Sequence, residues 1–320
     1  MYSLLKSLQH FDSTQDYVLA IIIDANGSTY RKPGAMMLIN AQQEYWGLIS
    51  GGCLEGDIVL NSEKVIQTKQ DLELVYNMRD QSDLLWGMGL GCDGEVTVLL
   101  KYLPSLENHL GFFDALNCWR DGQSQYLSIL ANANNELKIM PLAKGPQIED
   151  VRFGFELIKP HHLLICGASP DVPPVTAIAH QIGWKTTVID HRASAAQADS
   201  FPYAESVQLI KRSQWQDFNL APFDSVIVMS HQFEHDQRYL KKLLSSQVDY
   251  IGLLGPTKRR DKLLANCGTH FDEHQGRVFG PIGLDIGSDS PETIALAIIA
   301  EIQAVRNKKS AISCYQDPTR

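Results

Sequence analysis

Hydrophobic positions follow two different periods in the two halves of the chain. In the first half, short apolar runs broken by polar turns predict strands. Tyr17-Val-Leu-Ala-Ile-Ile-Ile23 is one, followed by the polar loop Asp24 to Gly34. Ala35-Met-Met-Leu-Ile39 and Trp46-Gly-Leu-Ile49 form a pair joined by the turn Asn40 to Glu44. From Leu54 to about Thr68 the apolar residues Leu54, Ile58 and Val65 recur at helical spacing. Leu72 to Tyr76 and Glu95 to Leu100 read as further strands, with the glycine-rich loop Gly87-Met-Gly-Leu-Gly-Cys-Asp-Gly94 leading into the second. Between Pro104 and Lys159 the pattern predicts a helix near Leu106 to Arg120 and strands around Tyr126 to Leu130 and Leu137 to Met140. A connector rich in charge and proline follows.

From His161 onward, strand and helix alternate. The strands are His162 to Cys166, Lys185 to Ile189, Ser225 to Met229 and Asp249 to Leu254. The helices are about Val172 to Ile182, Asp236 to Ser246, Lys258 to Ala265 and Pro291 to Arg306. Continuous apolar strands separated by helices imply a parallel sheet covered on both faces. Ser290, Pro291 and Glu292 mark the start of the last helix. The expected fold class is α/β: a C-terminal Rossmann-like parallel sheet with helices on both faces, preceded by a smaller α+β N-terminal domain. The expected boundaries are 1–155 for the N-terminal domain with its connector, 156–307 for the Rossmann-like domain, and 308–320 for a flexible tail.

A length of 320 residues accommodates two cores. The net charge of −9 argues against non-specific binding to nucleic acid or to an anionic membrane surface. No apolar run approaches a membrane span, and the polar start of the chain does not resemble a secretory signal. Six cysteines without a C-x-x-C pair read neither as a disulfide framework nor as a zinc site, and a cytoplasmic location is expected.

The chemistry concentrates in loops. In Ser50-Gly-Gly-Cys-Leu-Glu-Gly-Asp57 an apolar run ends at Gly51-Gly52, and Cys53 falls at or near the start of a helix. Unpaired amides and the helix dipole favour negative charge at such a point, so a thiolate in an anion-friendly nest is expected. Cys92 is likewise flanked by glycines, whereas Cys166 and Cys118 read as core residues. Ser28, Arg31 and Lys32 occupy a polar loop suited to a phosphate or another polyoxygen anion. In the second half, Gly167-Ala-Ser-Pro-Asp-Val172 stands where a dinucleotide fold carries G-x-G-x-x-G, with Ser169 and Val172 at the later glycine positions. Asp190 ends the next strand, where a ribose-binding acid belongs. His191 and His231 follow strand ends. Lys258, Arg259 and Arg260 oppose the dipole of the helix they begin, which fits either an anion partner or a solvated basic turn. His231 and His235 stand one helical turn apart, but no third convergent ligand is evident, and capping by Ser230 with hydrogen bonding by His231 accounts for them.

Together these motifs resemble the XdhC/CoxI family of accessory proteins that mature molybdenum hydroxylases such as xanthine dehydrogenase and carbon monoxide dehydrogenase. The resemblance covers most of the chain. It rests on Ser28 to Met36, Ser50 to Asp57, Gly87 to Gly94, Gly167 to Asp171, Val188 to Arg192, Met229 to Asp236, Ile251 to Pro256 and Gly280 to Gly287. Ser169 departs from the glycine-rich form seen in many members. The resemblance implies a small N-terminal domain followed by a Rossmann-like one. It also implies binding of molybdenum cofactor, as molybdopterin or its dinucleotide form, and transfer of that cofactor to an apo molybdenum hydroxylase.

On that basis Cys53 is expected beside the molybdenum as a ligand or a sulfur relay, with Gly51, Gly52 and Glu55 in its loop and Cys92 assisting. Arg31 and Lys32 would hold phosphate or oxo groups. Gly167, Ser169, Asp171, Asp190, His191, His231, Lys258 and Arg259 would receive a nucleotide part or form the partner surface. A cysteine desulfurase is an implied partner, and self-association is open to the chain. A non-enzymatic maturation role is favoured. The alternatives are an NAD(P)-dependent oxidoreductase built on the Rossmann-like domain, and a sulfurtransferase using Cys53.

Overall fold

The chain divides into two units, Met1–Lys159 and Pro160–Arg320. The structure, a computed structural model, describes residues 2–78, 94–132, 134–143 and 149–312.

The first unit runs β1 (Tyr17–Gly27), β2 (Met36–Asn40), β3 (Tyr45–Gly47), α1 (Glu55–Thr68), β4 (Leu72–Asn77), β5 (Gly94–Leu103), α2 (Phe112–Arg120), β6 (Gln125–Leu130), β7 (Leu137–Pro141) and β8 (Val151–Leu157). The strands form an antiparallel five-stranded sheet, β3-β2-β1-β5-β4, and an antiparallel three-stranded sheet, β7-β6-β8. Side chains alternate across a strand. Val18, Ala20 and Ile22 therefore pack with Ile58, Val59 and Val65 of α1. Tyr17, Leu19 and Ile21 face Phe112, Phe113 and Leu116 of α2 together with Leu127 and Ile129 of β6. Both faces of β1 are covered, which is why it reads as an unbroken apolar run.

Three elements depart from the sequence pattern. β1 continues past Ile23 to Gly27, paired with β5 as far as Gly94, although Asp24 and Asn26 are exposed there. The helix expected from Leu106 starts only at Phe112. Asn108, His109 and Leu110 take φ of 49°, 49° and 54°. Asp16 accepts from the Ser105 amide and hydroxyl at 2.8 and 2.9 Å, and His109 Nε2 bonds to the Gln15 carbonyl at 2.8 Å. Tertiary anchoring thus overrides helical propensity. Part of the expected connector is strand β8, whose Phe153 and Phe155 pack onto the core beneath β6.

The second unit runs β9 (His162–Cys166), α3 (Val172–Gln181), β10 (Lys185–Asp190), β11 (Ser206–Leu209), β12 (Ser225–Val228), α4 (Phe233–Leu244), β13 (Tyr250–Leu253), α5 (Thr257–Asn266), β14 (Val278–Phe279) and α6 (Pro291–Arg306). Its six strands are all parallel, in the order β11-β10-β9-β12-β13-β14. Leu163 and Ile165 pack under α3 and α6. Leu164 and Cys166 face α4 and α5 on the other side. Cys166 is a core residue, and burial pushes its thiol well above the usual range. The chain moves outward from β9 in one direction and returns to its other side at β12, so the switch point lies at the carboxyl ends of these two strands. No helix among the described residues is long and apolar enough to cross a membrane.

Ser290 caps α6, accepting from the Thr293 amide at 3.3 Å, while Thr293 Oγ1 accepts from the Ser290 amide at 3.0 Å. Ser290→Ala is expected to lower the unfolding free energy by about 1 kcal/mol in denaturant titrations.

Candidate functional site

The loop between β3 and α1 is organised from below by one carboxylate. Glu55, the first residue of α1, is 3% exposed. Its Oε1 accepts from the Ile49 and Ser50 amides at 3.0 and 2.6 Å, and its Oε2 accepts from the Gly52 amide at 3.0 Å and from the Ser50 hydroxyl. Ser50 Oγ in turn accepts from the Cys53 and Leu54 amides at 3.0 and 2.9 Å. Burial alone would raise the Glu55 pKa, but the Ser50 hydroxyl and the amide donors outweigh it and hold the carboxyl below its ordinary value.

This corrects the reading of the loop as an open anion nest with Glu55 on the ligand. The protein's own carboxylate occupies the place of the anion, and Glu55 lies buried beneath the loop with its oxygens taken by the loop's own donors. Cys53 is exposed and directly precedes the helix cap Leu54. Its side chain borders a cavity of about 240 Å³ whose walls include Tyr30, Arg31, Gly51, Met78 and Val96. Gly51 lies against the Tyr30 ring, within ordinary contact distance of where a Cβ would stand, 3.6 Å. Arg31 and Cys53 are therefore brought together. Gly52 is exposed in the same loop with φ of 104°, a conformation suited to glycine. Ser28 and Lys32 are exposed and do not border the cavity. Cys92 and most of its glycine-rich loop lie outside the described residues, as do Cys314 and the last part of the expected tail.

In the second unit the expected nucleotide residues converge at the carboxyl edge of the sheet, but many are already partnered. Gly167 has φ of 131°, and a Cβ there would lie 2.6 Å from the Met229 carbonyl oxygen, so the first turn packs directly on the end of β12. Asp190 is fully buried. Its carboxylate accepts from the Ala168 amide at 2.8 Å, from the Arg192 amide at 2.8 Å, and from Arg192 Nε and Nη2 at 2.9 and 2.8 Å. Burial would raise its pKa. The Arg192 guanidinium and the two amides reverse this and lower it to about 2. The expected ribose acid is thus closed off by Arg192, two residues further on.

Ser169 Oγ donates to Asp171 and lies 3.2 Å from the Met229 carbonyl oxygen. Asp171 Oδ2 is 2.9 Å from His231 Nε2. These contacts bridge the loops that follow β9 and β12. His231 has φ of 59° and precedes α4, so its spacing to His235 is not helical. Among the described residues no group of three or more His, Cys, Asp or Glu side chains could hold a metal ion.

The basic turn is also largely internal. Arg259 Nη2 pairs with the buried Asp236 at 2.6 Å. The Arg260 guanidinium lies 3.7 Å over the Phe271 ring and donates to the Gly280 carbonyl at 2.5 Å. Lys258 is exposed. A cavity of about 200 Å³ remains between His231, Asp236, Gly255 and Arg259.

A doubly wound parallel sheet, carried with an antiparallel unit that presents a cysteine on a carboxylate-built loop, defines the class of protein. Residues 163–302 match the XdhC Rossmann domain, and residues 11–77 match the XdhC and CoxI family. The chain belongs to the XdhC and CoxI family. It is similar to a crystal structure described as a xanthine dehydrogenase from Bacillus halodurans, with 31% identity, 98% of both chains covered and a TM-score of 0.82. It is 29% identical to a probable xanthine dehydrogenase subunit of Bacillus subtilis (strain 168), covering 94% of this chain and 96% of that protein. It is 23% identical to the molybdenum cofactor insertion chaperone PaoD of Escherichia coli (strain K12), covering 93% of this chain and 86% of that one.

Glu55→Gln keeps one acceptor oxygen but turns an NH2 group toward the Gly52 amide and the Ser50 hydroxyl. It is expected to cost about 2 kcal/mol at pH 7 in urea titrations. A carboxyl whose pKa is lowered by folding contributes stability above its unfolded value, and that contribution is lost as pH falls through the folded value. The gap between parent and variant is therefore expected to narrow as pH drops below the ordinary range of glutamate.

Proposed function

We propose that this chain is a maturation factor that holds molybdenum cofactor at the Cys53 loop and passes it to an apo molybdenum hydroxylase. The observation that carries the reading is the exposed Cys53 thiol at the lip of a cavity that Arg31 also borders. A single protein thiolate suits a metal that arrives with a sulfur-rich ligand set of its own, because soft centres accept thiolate donors. Cofactor would supply that metal–dithiolene head. Arg31 would hold its negatively charged oxygens through charge-assisted hydrogen bonds, and the apolar wall formed by Tyr30, Met78 and Val96 would take a flat ring face. Membership of the XdhC and CoxI family and similarity to an insertion chaperone over most of both chains support the same reading.

The exposed thiol is also open to sulfur transfer. As a relay, Cys53 would accept the terminal sulfur of a cysteine desulfurase persulfide and return the desulfurase to its thiol form. This step requires access from solvent, which the loop provides. Binding to a hydroxylase and to a desulfurase belongs to the proposal, as does a cytoplasmic place of action.

Cys53→Ala removes an exposed side chain and is expected to leave the melting temperature within about 2 °C of the parent. Protein purified from cells that make molybdenum cofactor should carry molybdenum and pterin as the parent, and about tenfold less of both as the variant. Equal molybdenum in the two proteins would overturn the assignment of Cys53. Incubation with a cysteine desulfurase and cysteine should add one sulfur to Cys53 by mass spectrometry, and an unmodified thiol would remove the relay.

A further inference from the structure

Basic side chains from several elements gather at the carboxyl edge of β10. His191, the residue after β10, stacks on His235 of α4 with ring centroids 3.5 Å apart and an interplanar angle of 11°. His191 Nδ1 is buried 3.4 Å from Asp190 Oδ1 and makes no hydrogen bond. Arg238 follows His235 by three positions on the same helix, a spacing that puts both on one face. Its Nη1 is buried and also lacks an acceptor.

Arg212 comes from a third element. Its segment continues from β11, where Leu209 is in register with Asp190. That segment is clasped to α4. Trp215 Nε1 donates to the Arg238 carbonyl at 3.1 Å, and Lys242 donates to the Trp215, Gln216 and Phe218 carbonyls at 2.7, 2.7 and 2.6 Å.

The charges do not balance locally. Asp190 is neutralised by Arg192, and Asp236 by Arg259. Among the described residues no ion pair joins Arg212 or Arg238 to a carboxylate. The His235 pKa is lowered by burial first, then by His191, Arg238 and Arg212, with Asp190 opposing. In a chain of net charge −9, such crowding of like charge gives no structural gain. A buried guanidinium nitrogen without an acceptor, such as Arg238 Nη1, is costly unless an acceptor arrives.

We infer that His191, His235 and Arg238 form a binding site for a phosphate monoester, the dianionic phosphoryl group of a nucleotide or of a smaller phosphorylated molecule, with the exposed Arg212 on the neighbouring segment adding positive charge to the approach. A guanidinium supplies paired donors matched to phosphate oxygens. The site adjoins the switch point, where open α/β sheets take ligands. With Asp190 closed by Arg192, the grip is on phosphate rather than on ribose hydroxyls. The inference does not rest on the molybdenum reading of the first unit.

Binding should take up protons, since a phosphate dianion favours the imidazolium form of a neighbouring histidine, a side chain that ordinarily titrates at about 6.5.

Calorimetry on the full chain tests this with AMP, inorganic phosphate and adenosine at pH 7 and pH 8.5, where AMP, whose phosphate titrates near about 6, is mostly the dianion, each in two buffers of different ionisation enthalpy. AMP should bind with net proton uptake and about threefold more tightly at pH 7, and adenosine should give no heat. Inorganic phosphate that competes with AMP identifies the phosphoryl group itself as the ligand. Phosphate that fails to compete, while AMP binds, identifies a nucleotide. Arg238→Gln should weaken AMP by about tenfold or more, and His235→Gln should flatten the pH dependence while circular dichroism stays unchanged. Adenosine binding as tightly as AMP, absence of AMP binding at millimolar concentration, or an unchanged pH profile in His235→Gln would overturn the inference. Molybdenum content plays no part in this readout, so it fails or succeeds apart from the Cys53 assignment.

Discussion

A buried carboxylate must have its hydrogen bonds supplied by the protein, and in the first unit this requirement shapes the whole Cys53 loop. Glu55 draws the Ile49, Ser50 and Gly52 amides inward, and Ser50 relays the pull to the Cys53 and Leu54 amides. With its backbone directed down toward Glu55, the loop carries its one thiol outward, where it is exposed. An isolated buried charge would be prohibitive, and here each carboxylate oxygen has donors. The thiol is held on a prepared frame, and the positive group nearest to hand for a ligand is the Arg31 side chain at the same cavity.

The second unit uses the same device at its strand ends. Asp190 fastens the first turn to its own following arginine, and Asp236 fastens Ser230 to Arg259. Each carboxylate is nearly inaccessible, at 0% and 2% exposure, and each closes a place where a nucleotide fold would present free donors or acceptors. A Rossmann-type sheet is thereby kept while its usual ribose contact is withdrawn. What stands at the carboxyl edge without a carboxylate partner is the Arg238 guanidinium, whose buried Nη1 has no acceptor, on the helix that brings His235 onto His191.

Much of this fold was legible in the sequence because its core strands are covered on both faces. Continuous runs such as His162-Leu-Leu-Ile-Cys166 and Ser225-Val-Ile-Val-Met229 can belong to few other architectures once helices separate them. β11 and β14 escaped notice because Ser206-Val-Gln-Leu209 is partly exposed and Val278–Phe279 is only a bridge in length. The late start of α2 depended on Asp16 and Gln15, far away in sequence, which no local propensity reports. At the site, the glycine pair correctly signalled an exposed cysteine. The direction of the amides did not show, because it depends on where Glu55 folds back. The pairing of Arg192 with Asp190 did not show either, because it depends on the turn that follows β10. The His191–His235 stack needed the approach of α4 to β10, and sequence alone does not supply it.

The central claim is that the Cys53 sulfur touches the metal of a bound cofactor. Molybdenum K-edge X-ray absorption on protein purified with its cofactor tests this most directly, with Cys53→Ser reloaded to the same metal content as the comparison. One sulfur neighbour fewer around molybdenum in the variant is the expected result. Identical sulfur coordination in the two proteins would contradict it.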